Sequence, residues 1–312
     1  MGVKEKSRLS ATSSTRMRPL VSPRQGLTLR QSWHASLSFL RRNWLVTVAL
    51  GVIVMFVCFA ILADVIAPFP PTQIYLDACT QPPSPTYWLG TDGLGRDILS
   101  RVIYGTRGIL MTSVSAALLG VVLGTVVGLF SGYIGGWVDE IIMRVADAWL
   151  SLPSMLLALL LLATLGGSRL SVVLGVGIVY IPEVARVVRS AVLAVKNMEF
   201  VQAARLRGES TRYIVFRELL PNIWSPIVVE ASIRISYAIL LTASFGFLGL
   251  GVQEPDPDWG LMVSRARAYI QIAPWMTLAP VTAISLLVVS VSIVADALQR
   301  HLGTVSEPGQ LA

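Results

Sequence analysis

Residues 44–67 read Trp44-Leu-Val-Thr-Val-Ala-Leu-Gly-Val-Ile-Val-Met-Phe-Val-Cys-Phe-Ala-Ile-Leu-Ala-Asp-Val-Ile-Ala67. As a helix rising about 1.5 Å per residue, such an apolar run crosses the roughly 30 Å hydrocarbon layer of a bilayer. It stops at Pro68, Pro70 and Pro71, which favour extended chain. The whole chain has the same character: its 312 residues are 54% hydrophobic and 14% charged, whereas soluble domains carry roughly 25% charged residues. Mean hydropathy is +0.67. A chain of this make-up is solvated by lipid, and its fold class is all-α integral membrane.

Working outward, five further apolar stretches follow, giving six transmembrane helices at about 44–67, 108–130, 145–165, 172–192, 223–248 and 275–298. Gly120, Gly124 and Gly128 repeat at four-residue spacing in the second, a small-residue stripe that permits close helix packing. Pro153 and Pro182 fall inside the third and fourth and imply kinks covered by neighbouring helices. Trp44, Trp137, Trp224 and Trp275 lie at segment edges, where interfacial anchors belong. The membrane domain thus spans 43–302, between a basic tail at 1–42 and a short C-terminal tail at 303–312.

Nine of the 25 basic residues precede residue 43, and only three of the 25 are Lys. That distribution suits a flexible cytoplasmic tail beside anionic lipid better than a nucleic-acid partner, and the tail is too long for the n-region of a signal peptide. With the N-terminus inside, the inner connections hold 16 Lys and Arg and the outer ones 6. Both termini are therefore expected in the cytoplasm. Cys58, Cys79, His34 and His301 fit no metal or disulfide framework, so no metal site is expected.

The connection between the fourth and fifth helices reads Glu199-Phe-Val-Gln-Ala-Ala-Arg-Leu-Arg-Gly208 and, after nine residues, Glu218-Leu-Leu-Pro-Asn222. Gln202, Ala203 and Ala204 belong to a short helix ended or bent at Gly208, and a second helix stops before Pro221. Spacing alone leaves two readings, an interfacial anchor for the loop or a knob that enters a groove on another protein. The segment resembles the loop signature of ABC importer permeases, Glu-Ala-Ala, three residues, Gly, nine residues, Ile, one residue, Leu-Pro. Ala203, Ala204, Gly208, Leu220 and Pro221 agree; Gln202 replaces the Glu and Glu218 the Ile.

Three more stretches are similar to the dipeptide/oligopeptide branch of that family, the second-permease type, which also includes nickel and glutathione importers. They are Leu89–Arg101, Gly132–Asp139 with Met143, Arg144 and Asp147, and Phe247–Gln253 with Asp258, Trp259 and Gly260. Two departures are Phe245-Gly246 for Leu-Ser and Ala295-Asp296-Ala297 for Gly-Asp-Gly. The resemblance implies a type I importer permease fold with a cytoplasmic coupling helix at 199–221. It also implies a homologous second permease, two cytoplasmic ATPases that push on this loop, and a periplasmic binding protein that delivers solute. The glycines at 90, 93 and 95 read either as a plain turn or as one presenting Asp92 and Asp97 to that binding protein.

Charges inside a membrane are costly and informative. Glu230 and Arg234, four apart in the fifth helix, have the order favourable for a same-face pair, and Glu183 and Arg186 lie three apart in the fourth. Each pair either neutralises itself in the bundle or lines the solute path. No Gly-x-x-x-x-Gly-Lys-Ser/Thr run and no catalytic constellation occurs, so the chain reads as a transporter subunit and not an enzyme, with ATP bound by its partners. A self-contained ion-coupled transporter is the competing class, which would carry solute without any ATPase.

Overall fold

The computed structural model describes residues 43–305. The tail at 1–42 and residues 306–312 lie outside them. The first helix, α1 (Trp44–Ile66), buries Val46 and a narrow stripe of Ala49, Phe56 and Ala63 at seven-residue spacing, with Val52 and Phe59 half-buried beside it. Phe56 meets Trp259 edge-on with ring centroids 5.5 Å apart.

The second helix, α2 (Ile98–Ile134), has 37 residues and starts ten before the expected Gly108. The sequence hides this because the first turns carry Ser100, Arg101 and Arg107, which look like loop. Each is paired with chain from the preceding segment. Ser100 Oγ accepts from Phe69 N at 3.0 Å, Arg101 donates to Pro71 O at 2.9 Å, and Arg107 donates to Ala60 O at 2.8 Å. Asp97 caps the helix by accepting from Ser100 N at 2.8 Å, satisfying one of the free first-turn amides.

The expected third span is a pair, α3 (Gly136–Leu150) and α4 (Ser154–Leu165), bent by 89°. Pro153 breaks the helix because it has no N–H to donate and disfavours helical geometry at Leu152. Pro182, by contrast, lies inside a continuous helix, α5 (Arg169–Val195). After it come α6 (Glu199–Leu206), a helical run over 211–222 that includes a π-type turn at Ile214–Leu219, α7 (Trp224–Phe247), α8 (Trp259–Ala266) and α9 (Trp275–Val305). The last helix thus continues past the expected tail boundary at residue 303. Among the described residues, five helices are long and apolar enough to cross a membrane, or six if the bent pair counts as one.

The glycine stripe sets the central packing. A Cβ at Gly120 would lie 2.7 Å from Tyr180 Cβ, at Gly124 2.6 Å from Val184 Cβ, and at Gly128 2.5 Å from the Ala185 carbonyl oxygen. Gly132 extends the seam, 2.9 Å from Val192 Cβ. In lipid, where water supplies no drive between apolar helices, such close approach of α2 and α5 is the source of their cohesion through dispersion. Gly124→Val is expected to force the helices apart at a cost of about 1–3 kcal/mol, as overpacking does. The thermal midpoint of the detergent-solubilised protein should then fall by several degrees. An unchanged midpoint would mean that α2 and α5 do not meet at this seam.

Candidate functional site

Three sites collect the charged and motif residues. Deepest is a triad within the bundle. Arg234 on α7 donates to Glu230 on the same helix at 2.6 Å and pairs with Glu183 on α5, while its guanidinium lies over the Tyr180 ring at 5.4 Å. Glu230 is buried. By helical rise, Glu230 and Arg234 stand about 9 and 15 Å along α7 from Trp224. The Glu230–Arg234 pair is thus formed. Glu183 and Arg186 are not a pair: a residue three further along a helix is rotated by about 60°, which turns Arg186 away toward α3. There it donates to Asp147 at 2.6 Å. One guanidinium between two carboxylates leaves the triad one formal negative charge.

Beside it, Arg189 grips Asp139 in a two-pronged bond, 2.5 and 2.6 Å, tying α5 to α3. Asp139 also accepts from Ser131 of α2. Sequence reasoning missed this clamp and the Asp147–Arg186 pair. Asp139 and Asp147 stood among the residues quoted from Gly132 onward, but spacing says nothing of partners 50 and 39 residues away.

The second site is the 199–222 segment. Val201 and Ala204 of α6 are buried against a cluster that includes Leu129, Val188, Val192, Ile214 and Leu219. Arg205 stacks over Tyr133 at 5.1 Å, and Phe130 meets Phe216 at 6.0 Å. The segment is thus seated on the ends of α2 and α5. Of the signature residues, Ala204 faces inward, Leu220 is half-buried, and Gln202, Ala203, Gly208 and Pro221 are exposed. Helical spacing places Glu199, Gln202, Ala203 and Leu206 on one outward face, with Leu206 89% exposed.

Gly208 ends α6 with φ +75°, and its N–H donates to Arg205 O while Glu209 N donates to Ala204 O. These two bonds form the left-handed helix stop that glycine favours. Pro221 does not follow a helix end as expected; helical geometry runs through it to Asn222.

The third site lies at the opposite end of the bundle, where α2 and α9 begin. A turn at 90–97 is closed by Gly95 N to Asp92 O at 3.0 Å and Ile98 N to Gly90 O at 3.1 Å. Asp97 is turned inward as the cap of α2 and 2% exposed, so it is not presented to any docked protein. Asp92 is also engaged, accepting from Arg96 Nε at 2.6 Å and from Leu94 N at 2.9 Å. Arg96 reaches on to Glu254 at 3.2 Å. Burial pushes the Glu254 carboxyl up, but the Arg96 bond and the charges of Arg96, Arg101 and Arg265 outweigh it and hold the group below the usual carboxylate range. Nearby, Asp258 caps α8 through Leu261 N at 2.9 Å, and the buried Trp259 indole donates to Val102 O at 2.9 Å. The first bond starts α8 and the second ties it to α2.

Residues 124–304 match the family described as binding-protein-dependent transport system inner membrane component, and residues 31–83 the N-terminal transmembrane domain of oligopeptide transport permease C. The chain belongs to the binding-protein-dependent ABC importer permeases. It is 38% identical over 280 residues to a dipeptide transport system permease protein, DppC, of Alkalihalophilus pseudofirmus, covering 90% of this chain and 92% of that one. It is 41% identical over 285 residues to a glutathione transport system permease protein, GsiD, of Shigella flexneri, covering 91% and 93%. Its fold is similar to that of the MetNI methionine ABC transporter in an inward-facing conformation, with a TM-score of 0.52 and 19% identity, over 67% of this chain and 98% of that one. This ABC importer permease is therefore a multi-pass membrane protein with the type I permease architecture.

Proposed function

We propose that this permease carries short peptides inward, as one half of a pathway completed by a homologous second permease. ATP is bound and hydrolysed by two cytoplasmic ATPases, and solute arrives on a periplasmic binding protein. The observation that carries the coupling is the outward face of α6: Gln202, Ala203 and an almost fully exposed Leu206 stand free, while Val201 and Ala204 fix the helix to α2 and α5. An apolar residue and a small one, held out on a rigid helix, fit a groove on a partner. The peptide reading is supported by the names of both relatives, since glutathione is itself a tripeptide.

The 16-to-6 basic asymmetry supports an inner-membrane orientation with both termini and α6 in the cytoplasm. A cysteine placed at Ser210 should then be unreactive to impermeant thiol reagents in intact cells, whereas the exposed Cys79 should react. Labelling of residue 210 from outside would reverse the orientation. For the function itself, reconstituted vesicles holding both permeases and both ATPases should take up dipeptide only with ATP and binding protein present. Uptake without ATP would favour an ion-coupled transporter, and uptake of another solute alone would remove the peptide assignment.

A further inference from the structure

The helical run over 211–222 turns one stripe outward. Ile214, Val215 and Leu219 are buried, while Arg212, Tyr213, Phe216 and Arg217 are exposed. Spaced four apart, Arg212 neighbours Phe216 and Tyr213 neighbours Arg217, so each row along the stripe sets a cation beside an aromatic ring. Neither arginine forms an ion pair or a hydrogen bond among the described residues. Glu209 and Glu218, the carboxylates nearest to them in sequence, are both taken by Arg207, at 3.6 and 3.2 Å. The anion for these two free guanidinium groups is therefore not supplied by their own segment.

The stripe stands where the spanning helices end. Phe216 meets Phe130, one turn before the end of α2, with ring centroids 6.0 Å apart. Two residues after the run ends, Trp224 opens the spanning helix α7 and is 59% exposed. Open Tyr and Trp rings at the start of a spanning helix belong at the headgroup level of a bilayer, where one end of the ring meets lipid and the other water. Arginines beside them meet phosphate oxygens, which the fork of N–H groups fits two at a time. The outward face of α6 has a different chemistry, with the exposed Ala203 and Leu206 suited to a protein groove.

We propose that Arg212 and Arg217, with Tyr213, Phe216 and Trp224, form a docking surface for the headgroup of an anionic phospholipid. The guanidinium groups are the donors to its phosphate, and the aromatic rings rest against the upper part of its acyl chains. This goes beyond the importer reading and does not depend on which solute is carried. A lipid held here fixes the height of the 211–222 run on the membrane, and with it the adjoining α6.

The test uses the complete transporter, both permeases and both ATPases, purified in mild detergent and titrated with phosphatidylglycerol or phosphatidylcholine. Bound lipid is counted by native mass spectrometry. Wild type should retain phosphatidylglycerol in preference to phosphatidylcholine. A basic residue at an anionic surface contributes a factor of about five in affinity, so Arg212→Gln and Arg217→Gln should each weaken that retention about fivefold, and the double variant about twenty-five-fold. Arg217→Lys keeps the charge and should stay within about twofold. Arg144→Gln, at an exposed arginine on α3, should leave retention unchanged.

Equal retention by the wild type and the double variant overturns the proposal. So does a loss in Arg144→Gln as large as that in Arg217→Gln, which would mark a general effect of surface charge. If the ATPases fall away from the double variant in detergent without added lipid, while phosphatidylglycerol retention by the permeases is unchanged, the stripe contacts the ATPases and the lipid role is overturned. Retention is read without ATP or solute, so its failure is distinct from failure of the importer reading, which ATP-independent uptake by the wild type would overturn.

Discussion

Replacing Gly208 by Asp is expected to uncouple the permease from the ATPases proposed to drive it. No atom lies within 4 Å of a Cβ added there, so no clash is created. The backbone is the first cost: φ +75° is left-handed, and a side chain in that region costs on the order of 1–2 kcal/mol, least for Asn and Asp. The second is a charge set at the end of the outward face of α6. Gly208→Asn carries nearly the same backbone cost without the charge and should retain most uptake. Gly208→Asp should lose it, and Gly208→Val should lose it through the backbone alone.

Ala203→Trp acts differently, adding bulk to an exposed position at the centre of the same face. Losing a well-fitted contact at the centre of an interface costs about 2 kcal/mol or more, roughly thirtyfold in affinity. Co-purification of the ATPases and uptake should fall together while the amount of permease in the membrane stays normal. Normal uptake in both Gly208→Asp and Ala203→Trp would remove the coupling role of α6.

The second large effect is expected at the triad. Arg234→Met leaves Glu183 and Glu230 facing each other without a cation, and breaking a buried pair by removing one partner costs about 3–5 kcal/mol. Little of this variant should accumulate in the membrane. Replacing Glu230 and Arg234 together is also expected to be damaging, because Glu183 would remain unpaired. Only the triple change, Glu183→Gln, Glu230→Gln and Arg234→Met, removes every charge, and it should restore the folded level. If the triple variant folds but does not transport, the triad serves the pathway. If it transports normally, the three residues only hold α5 to α7.

Much of this was legible in the chain because membranes impose strong patterns. Apolar length located the spans, and the glycine spacing in α2 announced the seam with α5, since both signals are local and periodic. The motif at 199–221 located α6 and its stop at Gly208. What was not legible depended on distant partners. The start of α2 was missed because Arg101 and Arg107 look like loop until Pro71 and Ala60 are seen to accept from them. Glu183 was paired with its neighbour in sequence because α7 could not be placed beside it. Asp97 looked presented because a capping carboxylate and an exposed one read the same in a string of letters. The break at Pro153 and the continuity at Pro182 likewise differ in tertiary support and not in residue type.

The length of α2 has a mechanical consequence. Its 37 residues run without interruption from the turn at 90–97 to the seat of α6, about 55 Å by helical rise. Locked to α5 along the glycine seam, it acts as a stiff lever through the membrane. Pivoting by about 10° near its middle would carry its two tips about 5 Å in opposite senses, given that length. On the proposed coupling, a push on α6 at one face would then shift the start of α2 at the other in a single stroke, with no chain of side-chain rearrangements in between.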